Sequence, residues 1–295
     1  MKNIVIIGLV LWGLSSCQSS TKKDGQEERI PSIEQRVANL SDAINNKLDE
    51  TYIINLDHHK MAKEEGVYTP PSIATIFSDP VVNSPLIKEN PLIGIDLPFK
   101  LLCFSEADTT NVSVAFTSAD FISKRHGIEH SMLEPLDKKL SKIVSSIDAS
   151  LISKTNTDSV SLGYGIIKIQ SDYDFNNTID NLKDIVNTQN DTRWFGEIDF
   201  QKDASALNQE VNESTLLLFG GPAPGGKAMM TTPKIGLDAF CQKLLVYEND
   251  QGEIWVVFND IVAFSELYYG RSTKPQNLIN QRLTQTFTSA VKKEN

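Results

Sequence analysis

Pro91-Leu92-Ile93-Gly94-Ile95-Asp96 returns 142 positions later as Pro233-Lys234-Ile235-Gly236-Leu237-Asp238, and the frame in which it returns fits most of the chain without a gap. Under that shift Leu40, Asp57, Phe77, Pro80, Leu102, Glu106 and Phe116 meet Leu182, Asp199, Phe219, Pro222, Leu244, Glu248 and Phe258. From Ser32 to Ser118 there are about twenty identities in about 87 aligned pairs, where unrelated composition would leave about five. The chain is therefore a tandem duplication, and each proposed element or site can be checked against its twin.

Each copy opens on an amphipathic helix. Ile33, Val37, Leu40 and Ile44 recur at helical spacing in the first, and Phe175, Ile179, Leu182 and Val186 recur in the second. Ser32 and Asp174 stand at the N-cap, where a side-chain oxygen accepts from free backbone N–H groups, and Gln35 fits a capping box with Ser32. A strand follows at Tyr52 to Asp57 or Trp194 to Asp199, then in the first copy a polar stretch with helical character around Met61 to Glu65. Next comes a strand at Ile73 to Phe77 or Thr215 to Phe219, and then a Pro/Gly-rich loop. Two further strands, Leu101 to Ser105 with Val112 to Phe116 and Lys243 to Tyr247 with Ile254 to Phe258, enclose short polar loops. In the second copy that loop holds the hairpin signal Asp250-Gln251-Gly252. Helices at Leu133 to Ser146 and Gln276 to Val291 close the units. Short connections require a mostly antiparallel sheet with helices packed on one face, so the fold class is α+β, twice.

One element breaks the symmetry. Gly163 to Gln170 reads as a strand ahead of the second copy's first helix, but its counterpart, Thr21 to Glu28, is polar and charged. The first sheet ends one strand short, and either a loop or helix covers that edge or another chain can add to it.

The N-terminus carries an address. Lys2 precedes an apolar run from Ile4 to Leu14, about eleven residues against the roughly twenty of a spanning helix, so it reads as a signal peptide over 1–16. Leu14-Ser15-Ser16-Cys17 resembles the lipobox of bacterial lipoproteins, which makes Cys17 the lipidated N-terminal residue and 17–29 a flexible tether. The first repeat domain is expected over 30–152 and the second over 153–295. A net charge of −10 argues against nucleic acid and against adhesion to anionic lipid beyond an acyl anchor. Cys103 and Cys241 lie in apolar strand-like runs at non-equivalent places and read as small buried hydrophobes, a bridge between the copies being the alternative in an oxidising compartment.

Phe219-Gly220-Gly221-Pro222-Ala223-Pro224-Gly225, then Met229, Gly236-Leu237-Asp238 and Trp255-Val256-Val257-Phe258-Asn259-Asp260 resemble the domain of unknown function 302 family. The first copy is similar more loosely through Phe77, Pro80 and Gly94-Ile95-Asp96-Leu97-Pro98, with Thr117-Ser118 replacing Asn-Asp and His126 where the family often carries a histidine. The resemblance implies a compact α+β domain able to pair with a second copy, and no reaction.

Several motifs invite chemistry. Gly221 to Lys227 has P-loop spacing, but Ala228 replaces the magnesium-holding hydroxyl, two prolines remove N–H donors, and the first copy lacks the glycines and the lysine, so it reads as a glycine-dependent turn. His126 and His130, four apart, would share a helix face as a metal or haem site needs, although Gly127 lies between them and surface histidines are the commoner case. His58-His59 beside Asp57 reads as a solvated turn, and the pairs Asp57/Asp199 and Asp96/Asp238 read as caps before catalytic carboxylates. No nucleophile elbow, Cys–His signature or zinc-thiolate set occurs.

The expected function is a non-enzymatic, lipid-anchored module of the bacterial cell envelope, periplasmic or on the outer membrane, with no cofactor. It would bind a small ligand or an envelope protein in a cleft where the copies meet. Phe219, Trp255, Asn259 and Asp260 from the second copy and Asp96 and His126 from the first are the candidate ligand residues. The alternatives are a metal- or haem-dependent redox protein using His126 and His130, and a structural partner engaged through the first copy's exposed edge.

Overall fold

The computed structural model describes residues 31–48, 52–107 and 109–293, so the signal, Cys17 and the tether lie outside the described residues. The first copy runs α1 (Ile33–Asn45), β1 (Tyr52–Asp57), α2 (His58–Glu64), β2 (Ser72–Phe77), α3 (Pro80–Glu89), β3 (Phe99–Ser105), β4 (Val112–Phe116), α4 (Ala119–His126) and α5 (Glu134–Val144). The second runs β5 (Ile166–Gln170), α6 (Phe175–Asn187), β6 (Arg193–Asp199), α7 (Phe200–Ala206), β7 (Ser214–Gly220), α8 (Pro222–Met229), β8 (Gln242–Glu248), β9 (Ile254–Asn259), α9 (Ile261–Tyr269) and α10 (Lys274–Val291). Ser32 and Asp174 cap α1 and α6 through the N–H groups of Gln35 and Asn177. Only half of the expected capping box forms, because the Gln35 amide donates to Asn39 Oδ1 at 2.9 Å. Asp57 and Asp199 are caps as expected, accepting from Lys60 and Lys202 N–H at the starts of α2 and α7.

Two antiparallel sheets result, in the orders β1-β2-β3-β4 and β5-β9-β8-β7-β6. The second sheet gains its fifth strand from the segment that the first copy lacks, β5 pairing Ile166 to Gln170 with Asn259 to Trp255. The corresponding edge of the first sheet is not open along its length. Ile152 forms an isolated parallel bridge with Val114, and Ser153 N–H donates to Val114 O at 2.8 Å, so the inter-repeat connection lies over β4. This departs from an edge free to receive another chain.

The Pro/Gly run after β7 is a helix and not a loop. Gly221 is the N-cap of α8 and Pro222 its first residue, where a fixed φ and a missing N–H cost nothing. The twin, α3, starts on Pro80 after the cap Asp79. Glycine serves here for close approach: a Cβ on Gly226 would lie 2.6 Å from Ala62 Cβ on α2, and one on Gly225 would lie 3.3 Å from the Phe240 ring.

All seven residues of β7 are buried, which explains a run as apolar as Leu216-Leu217-Leu218-Phe219. Leu217 and Phe219 join the core under α6 and α10, with Leu182 and Phe287. Leu216 and Leu218 face the other way, into a core that also holds Leu101, Leu102, Val114 and Ile95 of the first copy. Each sheet therefore carries helices on one face and the other repeat on the opposite face, and Ser32–Asn295 is one compact unit. Among the described residues no helix is long and apolar enough to cross a membrane.

Candidate functional site

The repeated Gly-Ile/Leu-Asp segments meet where the two copies face each other. Gly94 and Gly236 close short 3-10 turns at Pro91–Ile95 and Pro233–Gly236. A Cβ on Gly94 would fall 2.9 Å from Leu245 and 3.1 Å from Phe200 of the second copy. One on Gly236 would fall 3.3 Å from Leu102 and 3.5 Å from His58 of the first. His58 and Phe200 are twins under the 142-residue shift, so the same contact is made in both directions.

Asp96 and Asp238, read from sequence as turn caps, are instead carboxylates buried at the interface between the copies. Arg125 Nη1 donates to both oxygens of Asp96 at 2.8 Å, and His126 Nε2 lies 2.6 Å from Oδ2. Lys243 Nζ stands 3.5 Å from Asp96 and 3.9 Å from Asp238. Asp238 accepts from Thr117 Oγ1 at 3.1 Å and from the Tyr268 hydroxyl. Arg125 also donates to Asn259 Oδ1 at 2.6 Å and to the Tyr164 and Gly165 carbonyls, which ties the approach to β5 onto the first copy. Burial alone would raise the Asp96 pKa, but Arg125, Lys243 and His126 outweigh it and hold the carboxyl well below the usual range. For His126 burial wins over Asp96 and lowers the imidazole pKa, so the contact is a hydrogen bond from neutral Nε2–H to a charged carboxylate, with Nδ1 left bare.

Asp96, His126 and Asn259 thus come together, but in a filled cluster with no access, not in a cleft. The other candidates lie elsewhere. Asp260 caps α9 through Val262 and Ala263 N–H. Trp255 packs under Lys168, whose ammonium lies 4.0 Å from the ring centroid. His130 is exposed beyond the left-handed Gly127 (φ 68°) that ends α4, so the two histidines do not share a helix face and the geometry of the redox reading is lost. Among the described residues no group of three or more His, Cys, Asp or Glu side chains could hold a metal ion. Cys103 and Cys241 are buried free thiols.

Two cavities flank the start of α8 and share Gly221, Gly225 and Phe240 as a wall. The first, with about 30 Å³ open to water, lies within the second copy and has the sequence candidate Phe219 in its lining. Gln242, the first residue of β8, lines it at 3% exposure, and neither its Oε1 nor its Nε2 has a protein partner. Around it stand Thr192 and Arg282, the latter bound through both terminal nitrogens to Asp191 at 2.6 Å. Phe219 stacks obliquely on Trp194 with ring centroids 5.7 Å apart. An amide that keeps both ends buried and unpaired costs several kcal/mol unless another molecule satisfies it.

The second cavity, with about 20 Å³ open to water, opens between the copies and is lined by His58 and Met61 of α2 and by Cys241, Gly226 and Phe240. His58 is not in a solvated turn: as the first residue of α2 it is turned inward, 8% exposed, with Nε2 unpaired. Burial first, and then the Lys100 charge, push its pKa down to about 3. Lys100 is itself buried, donates to Phe240 O, and is lowered to about 8, chiefly by burial. Sequence reasoning passed over Gln242 and Lys100, twins at the start of two buried strands, β8 and β3.

The profile of the family described as Domain of unknown function DUF302 matches residues 27–147 and 167–290. A crystal structure described as an uncharacterized conserved DUF302 protein from Bacillus stearothermophilus is similar at 11% identity and a TM-score of 0.36, over 43% of this chain and 95% of that one. No curated protein matches.

Proposed function

We propose that this chain, which belongs to the DUF302 family, is a non-enzymatic binding module of the bacterial cell envelope, anchored by a lipid on Cys17, that takes up a small ligand in the cavity beside α8 of its second copy. The observation that carries the reading is the Gln242 side chain, buried with its carbonyl and amide nitrogen both unpaired at the wall of that cavity. A ligand presenting one donor and one acceptor in a plane would satisfy both atoms at once, as a neighbouring amide would. Phe219 and Phe240 supply apolar walls, and the Arg282–Asp191 pair a polar mouth, the usual make-up of a small-molecule site. Asp96 and Asp238, the carboxylates that recur in the Gly-Ile/Leu-Asp segments, hold the two copies together, which supports a binding role over a catalytic one.

The address is part of the same proposal and rests on Lys2, the apolar run and Cys17. Globomycin treatment, which blocks signal removal from lipoproteins, is expected to leave a larger, unprocessed form, and Cys17→Ser to release the protein from membranes. For the ligand, a thermal-shift screen of envelope metabolites should find compounds that raise Tm in the wild type and leave Gln242→Leu unmoved. A screen in which every compound that stabilises the wild type stabilises Q242L equally would reject this cavity as the site.

A further inference from the structure

The cavity between the copies brings together three donors of one chemical character. The His58 imidazole presents an unpaired, buried Nε2, and Cys241 and Met61 add a thiol and a thioether to the same lining. His58 and Met61 come from the first copy and Cys241 from the second, so the set exists only when the repeats are docked. It also exists once. Under the repeat shift His58 becomes Phe200, Met61 becomes Asp203 and Cys241 becomes Phe99, so the mirror-related position keeps neither the imidazole nor either sulfur.

We propose that His58, Cys241 and Met61 bind a soft monovalent cation of the Cu(I) type. Thiolate and thioether sulfur with imidazole nitrogen select Cu(I) over harder ions, and Cu(I) is satisfied by two or three such ligands where structural zinc takes four. Charge selects among cations. Burial pushes the Cys241 thiol pKa up, with the nearby Lys100 and Lys243 charges acting against it, so the bound ion itself must favour the thiolate. A divalent ion would leave net positive charge beside those ammonium groups, whereas Cu(I) with one thiolate forms a neutral unit. Binding is a ligand exchange without redox change: the Cys241 S–H bond breaks, a sulfur–copper bond forms, and the proton leaves to solvent. The cavity is separate from the one lined by Gln242, so this inference stands or falls apart from the ligand reading above.

The test is an anaerobic titration of the full chain with Cu(I), and with Ag(I) as a redox-inert substitute, against a chromogenic Cu(I) chelator. All variants carry Cys17→Ser to remove the third thiol. The expected result is one Cu(I) retained per chain, with sulfur-to-copper charge-transfer absorption in the ultraviolet. Cys241→Ala and His58→Phe should each lose it, Met61→Leu should weaken it, and Cys103→Ala should keep it. His58→Phe installs the residue the second copy carries at this place, and circular dichroism on each variant separates loss of metal from loss of fold. Surrender of all copper by the wild type, or retention by a folded C241A or H58F, would overturn the proposal.

Discussion

Lys243 Nζ lies 3.5 Å from Asp96 Oδ1, so a cation of the second copy completes the buried charge cluster of the first. The twin of Lys243 is Leu101, and Arg125 is likewise present in one copy alone, opposite Leu267. An apolar face between repeats would tolerate rotation and register error. Two carboxylates that each require particular partners do not, and this specificity is the best-supported use of buried ion pairs, whose net stabilisation is otherwise small.

Asp96→Asn should therefore be far more costly than its conservative shape suggests. It leaves Arg125 and Lys243 buried with less counter-charge, and a loss of roughly 3–5 kcal/mol is expected. Urea unfolding should show one transition, because the core is continuous across both repeats. A second, separate transition in the wild type would contradict that continuity.

His58 makes the protein acid-sensitive. Its folded pKa, about 3, lies below the ordinary 6.5, so the unfolded chain binds a proton that the native state refuses. Stability is then full above about pH 6.5 and falls as pH drops toward 3, by an amount on the order of 4 kcal/mol from this group. His58→Phe should flatten the decline over that window in equilibrium unfolding. An unchanged acid limb would show that His58 is not held neutral.

At the alkaline end Lys100 acts in the opposite range. Its folded pKa of about 8 lies below the ordinary 10.5, so stability should rise as pH increases from 8 to 10.5, on the order of 3 kcal/mol if no other group intervenes. Lys100→Met should remove the rise, read as the pH dependence of the urea midpoint.

Gly226→Ala tests why α8 is rich in glycine. Alanine favours a helix interior by about 1 kcal/mol, but the new Cβ would meet Ala62 Cβ at 2.6 Å. Overpacking should win, with a net loss of about 1–3 kcal/mol. Ala62→Gly in the same chain should recover part of it.

The repeat frame made the α+β architecture legible, because α1 and α6 keep their apolar stripes in register and β2 and β7 keep equivalent partner strands. What failed did so for physical reasons. Gly221 to Lys227 looked like a loop because proline and glycine usually break helices, yet proline at the first position and glycine packed against Ala62 belong inside one. Asp96 after Gly94 could not be told from a local cap, since Arg125 and Lys243 are distant in sequence. His126 and His130 have helical spacing, but Gly127 ends the helix between them. Gln242 gave one usable signal, a polar residue paired under the shift with another polar residue, Lys100, at the mouth of a buried strand.

The ligand reading turns on the Gln242 amide, and a high-resolution crystal structure of protein purified natively, without refolding, examines it directly. The account predicts density for a non-protein molecule in the cavity between α8 and α10, with an acceptor within hydrogen-bond distance of Nε2 and a donor within that distance of Oε1. An amide satisfied only by ordered water, in crystals grown from natively purified protein and again after soaking with every compound that raises Tm, would contradict it.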